Sequence, residues 1–181
     1  MRRGIVAVLA LVPLVLLATG RGRPAPAASE EPQQKNLLAR IAALEAVIPD
    51  QAHIMADVGD HFTNLWFAGH AENWPLAEFY LNETKSHLRW AVRAKPVRQD
   101  NQGRDINLGN ILEAFENSQL TQLKQAIDGK GRPAFERIYH ESLTVCYSCH
   151  KASDKPYLRP QIPTEPETRI INFDPKANWP L

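Results

Sequence analysis

From Asp50 to about Ala152 the chain reads as four long amphipathic segments in succession, with almost no strand signal between them, and this pattern confines it to helical architectures. Asp50 can cap a first long helix of about Gln51 to His70, in which Met55, Val58, Phe62, Leu65 and Gly69 recur at the alternating steps of a packed seam. Asn73 as cap and Pro75 in the first turn open a second helix to about Ala94, with Leu76, Tyr80, Leu81, Thr84, Leu88 and Ala91 inward and Pro96 as its stop. Residues 95–105 read as a polar loop. A third helix, about Ile106 to Ile127, presents Leu108, Leu112, Phe115, Gln119, Leu123 and Ile127. After the break at Gly129-Lys130-Gly131, a fourth runs to about Ala152 with Phe135, Ile138, Ser142, Val145 and Cys149 on one face and Tyr139, Leu143, Cys146 and His150 beside it. Short connections between such helices favour an all-α, antiparallel up-and-down four-helix bundle. A short extra N-terminal helix (Leu37, Ile41, Leu44, Ile48, ended by Pro49) and a long, proline-rich irregular C-terminal tail flank it.

The N-terminus carries an export signature. Arg2 and Arg3 precede an apolar run from Ile5 to Ala18, and Ala25-Pro26-Ala27 is a small-residue cleavage site. The expected organisation is a signal peptide over 1–28, a linker and short helix over 29–49, a bundle domain over 50–155 and an irregular tail over 156–181 packed on that domain. Cleavage places the folded part in the periplasm with no stable membrane insertion. The chain has 21 Lys+Arg and 20 Asp+Glu; losing Arg2, Arg3, Arg21 and Arg23 shifts the mature net charge to about −3. No basic patch suits nucleic acid, and no acidic block suits a disordered tail.

Exported chains with cysteines usually form disulfides. Here the two cysteines, Cys146 and Cys149, are three residues apart and followed by His150, so they close no useful loop. Cys146-Tyr147-Ser148-Cys149-His150 is the C-x-x-C-H pattern of c-type haem attachment. Residues three and four apart share a helix face, so two thiols can form thioethers with one porphyrin while the adjacent imidazole reaches the iron. A thioredoxin-like redox pair belongs at the start of a helix after a strand, and a zinc site needs further ligands that no other cysteine supplies. The cofactor expected is one covalent haem c held by Cys146, Cys149 and His150.

The run Phe135, Tyr139, Leu143, then Cys-x-x-Cys-His near the end of a fourth helix resembles the cytochrome c′ family and its low-spin relatives. Leu65-Trp66-Phe67-Ala68-Gly69 with Asn73-Trp74 and Leu76-Ala77 resembles a subgroup of exported cytochrome c′-like proteins. The resemblance covers roughly residues 50–155, and departs from the family in the preceding short helix and in the roughly thirty residues after the motif. It implies a bundle fold and, for the low-spin relatives, a methionine as second axial ligand. It also implies a homodimer through the first two long helices, an arrangement compatible with the apolar surface around Trp66 and Phe67.

The sixth ligand decides what such a haem does. Met55 is the sole methionine after the initiator. In an up-and-down bundle it lies about 22 Å along the first long helix from the far end, and Cys146 about 20 Å along the fourth, so the two are level. His61 points about 120° away from Met55 and lies about 9 Å further down; His53 is level but near the cap, and His70 is at the wrong end. Met55, His61 and an open face remain the alternatives. The leading expectation is a periplasmic electron carrier with His150 and Met55 as metal ligands, meeting other redox proteins transiently, and not an enzyme. The alternative is a five-coordinate protein binding nitric oxide or carbon monoxide. A peroxidase would need a distal acid–base group, for which His61 is the sole candidate. Lys151, Lys155 and Arg159 are candidates for pairing with haem propionates, and Tyr157, Leu158 and Pro160 for covering an exposed haem edge.

Overall fold

The computed structural model describes residues 30–178; the export segment expected over 1–28 lies outside them. The chain divides into two units at Glu45/Ala46. Helix α1 (Glu30–Val47), in the first unit but for its last two residues, begins earlier than the linker reading of the sequence implied. Pro32 sits in its first turn, where the missing N–H costs nothing, and Gln33, Gln34 and Lys35 are good helix formers. Leu37, Leu38, Ile41 and Leu44 are exposed along it.

The second unit is mostly α-helical. Helix α2 (Gln51–His70) starts where Asp50 accepts a hydrogen bond from the His53 N–H, and α3 (Trp74–Ala94) where Asn73 accepts from Leu76. Both caps satisfy amide groups that the first turn leaves unpaired. The expected polar loop is instead a small antiparallel hairpin, β1 (Val97–Gln99) with β2 (Asp105–Asn107), register Arg98 opposite Ile106. Asp100 closes its turn by accepting from the Gln102 and Arg104 amides. The third long helix is α4 (Leu108–Phe115), a π-helical turn (Glu116–Leu120) and α5 (Thr121–Asp128) in series. Helix α6 (Arg132–Ala152) follows. Among the described residues no helix is long and apolar enough to cross a membrane.

The π turn corrects the face expected for the third helix. Phe115 and Leu120 are both buried, whereas Gln119 is only half-buried. At 100° per residue, five α-helical residues would leave Leu120 about 140° away from Phe115. A turn closed by i→i+5 bonds is wider and carries Leu120 back to the core. Thr121 Oγ1 donates to the Glu116 carbonyl at 2.7 Å within the widened turn. Beyond it the α period resumes, and Leu123 and Ile127 are buried as expected.

The core joins α2, α3, the π turn, α5 and α6 around Leu65, Leu81, Leu120, Leu123, Phe135 and Tyr139. Helices α2 and α6 are antiparallel. Phe62 stacks on Tyr139 with centroids 4.3 Å apart, and the Tyr139 hydroxyl donates to the Phe62 carbonyl at 2.9 Å. Two turns further along α2, Gly69 lies against Phe135, one turn earlier on α6; a Cβ at Gly69 would sit 2.3 Å from that ring. Salt bridges Glu78–Lys124 and Arg89–Glu116 show α3 antiparallel to the α4–α5 run. From Lys155 to Asn178 there is neither helix nor strand. This tail is nonetheless tied down: the Glu167 amide donates to Asn64 Oδ1, Asn73 Nδ2 donates to the Phe173 carbonyl, and the Phe173 ring packs on Tyr80 and Phe67. Phe173 therefore covers part of the apolar surface around Phe67.

Candidate haem site

Cys146, Cys149 and His150 stand in the last two turns of α6. That helix ends in a backbone motif that positions everything after it. Asp154 adopts a left-handed conformation (φ 57°), the Lys155 amide donates to the His150 carbonyl at 2.8 Å, and the Asp154 amide to the Lys151 carbonyl at 3.1 Å. This pair of bonds is a Schellman cap, and Pro156 just beyond it forbids further helix. The chain is turned back along the helix it has just left. Tyr147 donates its hydroxyl to the Pro156 carbonyl at 3.2 Å, and the Leu158 carbonyl comes to 2.9 Å from His150 Nδ1.

That last contact defines the imidazole. A carbonyl only accepts, so the Nδ1 proton is held against Leu158 and the Nε2 lone pair is left for another partner. Metal-bound histidines are commonly oriented this way, by a hydrogen bond on the nitrogen that does not ligate. Cys146, Cys149 and His150 are all partly exposed. Cys146 packs against the core, and both thiols are free. Burial pushes the Cys146 thiol up to about 12, with Cys149 beside it adding to the shift, and burial also raises Cys149. A thiolate nucleophile of the thioredoxin kind needs the opposite shift, so the pair is ill-suited to disulfide exchange.

Two neighbours flank the triad. Cys146 lies seven residues beyond Tyr139, and Met55 seven residues before Phe62. Seven residues are nearly two turns and about 10.5 Å, so the stacked Phe62–Tyr139 pair carries Met55 and Cys146 to the same level on facing sides of the antiparallel helices. Met55 is half-buried there, next to fully buried Ile54. Val145 and Cys149, four apart, share the adjacent face of α6. Val145 lines a shallow apolar cleft with Ile111, Ala114, Phe115 and Gln119 of α4 and the π turn. An imidazole with its proton anchored, two thiols on one helical face and an apolar cleft beside them fit a covalently attached haem.

The other residues singled out from the sequence fall elsewhere. The His61 ring lies 4.7 Å from that of His87 on α3 and 6.2 Å from that of Tyr80. It is thus directed at α3, not at α6. His53 is exposed and paired with Asp50, and His70 bonds Glu136 and Arg132 at the opposite end. Lys151 sits over the Tyr147 ring at 4.8 Å, and Arg159 donates to the Pro156 carbonyl. Tyr157 and Leu158 keep exposed side chains; Leu158 serves the site through its backbone. Side-chain reasoning missed that carbonyl, although Pro156 after the motif was a visible sign of a forced turn. Compared with known proteins, the chain matches no family model, no curated protein and no solved structure.

Proposed function

We propose that this is a periplasmic single-haem c-type cytochrome that carries electrons, an exported relative of the cytochrome c′ proteins with α2, α3, the α4–α5 run and α6 as an antiparallel four-helix bundle. The observation that carries the reading is the His150 Nδ1 contact with the Leu158 carbonyl at 2.9 Å, on the histidine of a C-x-x-C-H motif. When bound, haem supplies a one-electron couple at its iron. The chain's own groups do the rest. Cys146 and Cys149 would hold the porphyrin through their two thiols. His150 offers Nε2 to the iron, and the Leu158 carbonyl holds its ring plane and raises its basicity. Met55, level with Cys146, would supply its thioether as the second ligand. Methionine in that position favours a higher potential than a second histidine would. Cys146, Cys149 and His150 are partly exposed, so a group held there would be open to a redox partner met through a small, transient interface.

The test is the absorption spectrum of the purified protein, ferric and ferrous, with and without CO. The expected ferric form is low-spin with a methionine-to-iron charge-transfer band, which Met55→Ala abolishes, leaving a high-spin haem that binds CO rapidly. A band that survives Met55→Ala rejects the second ligand. A colourless protein, or one that loses its colour to acidified solvent, rejects covalent haem altogether.

A further inference from the structure

We infer that His61, Glu83 and His87, with Asp57 at the rim, form a second metal site, between α2 and α3, for a divalent transition cation of the zinc type. His61, Glu83 and His87 each offer a ligand atom, and these atoms lie within 4.8 Å of one another. The arrangement is built from two copies of one device. Asp57 and His61 are one turn apart on α2, and Glu83 and His87 one turn apart on α3, so each helix presents an acid and an imidazole on one face.

Two details separate this cluster from a chance grouping of polar side chains. His61 Nδ1 is buried and has no hydrogen-bond partner. Leaving such an atom unpaired is costly, and a cation bound there removes the cost. His87 in turn holds its Nδ1 against the Glu83 carbonyl at 2.9 Å. That carbonyl accepts a hydrogen bond from Nδ1–H, so the Nε2 lone pair of His87 is left for a metal, 3.9 Å from Asp57 Oδ2. The same orienting contact precedes metal binding in many histidine sites. Tetrahedral zinc with bonds of about 2.0–2.2 Å places its ligands about 3.4 Å apart, so modest side-chain rotations close the site. His87 is 19% exposed and Glu83 36% exposed, which leaves a route for the ion. Two imidazoles with one or two carboxylates suit zinc, copper(II) or nickel(II) better than magnesium or calcium, which prefer all-oxygen sets.

The mature protein as purified is stripped with a chelator, incubated with zinc chloride, dialysed, and its zinc counted by mass spectrometry. Thermal unfolding with and without zinc is followed in parallel. One zinc per chain and a zinc-dependent rise in Tm are expected. His61→Ala and His87→Ala are expected to abolish both, Glu83→Gln to weaken retention at least about tenfold, and the exposed His53→Ala to change neither. Circular dichroism identifies variants that fold. Should His61→Ala fail to fold, the more exposed His87→Ala and Glu83→Gln decide. No zinc retained by the folded wild type, or retention equal in His87→Ala and wild type, overturns the site. So does zinc lost on Cys146→Ser or Cys149→Ser but kept in His87→Ala. Zinc kept by Cys146→Ser and Cys149→Ser at the wild-type level separates this site from the Cys146–His150 segment, whether or not that segment carries haem.

Discussion

Tyr139 joins α2 and α6 through both its ring and its hydroxyl. Its ring stacks on Phe62 and packs on Phe135 and Trp66, and its hydroxyl reaches a carbonyl of the facing helix. Burial pushes its phenol far above the ordinary value of 10, so the folded chain keeps it uncharged where the unfolded chain ionises. Stability from this group is fully present below pH 10 and declines as pH rises beyond it, by up to about 1.4 kcal/mol per pH unit. Tyr139→Phe is expected to cost about 0.5–1.5 kcal/mol near neutrality and to flatten the alkaline decline. Urea unfolding of both proteins at pH 8 to 11 measures this, and parallel alkaline slopes would show that Tyr139 is not the source. His61 shows the same physics with the opposite sign, since burial first, and then His87, lower its affinity for a proton.

At the scale of elements, three helices end alike. Helix α2 closes at left-handed Glu72, α5 at Lys130 and α6 at Asp154, each followed by a bond from the next amide to a carbonyl five residues back. None of the three is glycine, the residue that adopts this conformation without Cβ strain. At Gly129-Lys130-Gly131 two glycines flank the position and the lysine occupies it, which a reading of glycine as the break would not assign. Lys130→Gly is expected to stabilise the protein by about 0.5–1 kcal/mol, read as a higher urea midpoint at unchanged slope; a lower midpoint would contradict the cap. The helix starts were more legible than the ends. Asp50 and Asn73 cap through their own side chains, and that signal is local. The π turn was not legible, because Phe115 and Leu120 reach the same core only through contacts with other helices.

For the molecule as a whole, the tail acts as a clasp rather than an appendage. It crosses from the end of α6 to α2 and α3, where Asn64, only 4% exposed, accepts from the Glu167 amide and where Phe173 covers Phe67 and Tyr80. Ending the chain after Arg159 keeps the Leu158 carbonyl but removes Ile162 and Phe173 from the core surface and leaves Asn64 without its partner. The expected loss is about 2–4 kcal/mol in urea unfolding, with His150 still oriented and the haem spectrum of the proposed cytochrome unchanged. A truncated chain as stable as the full one would mean that the tail contacts contribute nothing.

The residue types and spacings alone determined where α2, α3 and α6 begin, that the protein is chiefly helical, and that Cys146, Cys149 and His150 share the end of one helix. All of these depend on neighbours within about one turn, whose geometry is the same in any fold. The tertiary structure decided what depends on chain returning from a distance. It directed His61 to His87 on α3 instead of to α6, widened the third helix so that Leu120 rather than Gln119 is buried, and brought a backbone carbonyl to His150. Such contacts are selected by packing and by the pairing of buried polar groups, which no local pattern encodes.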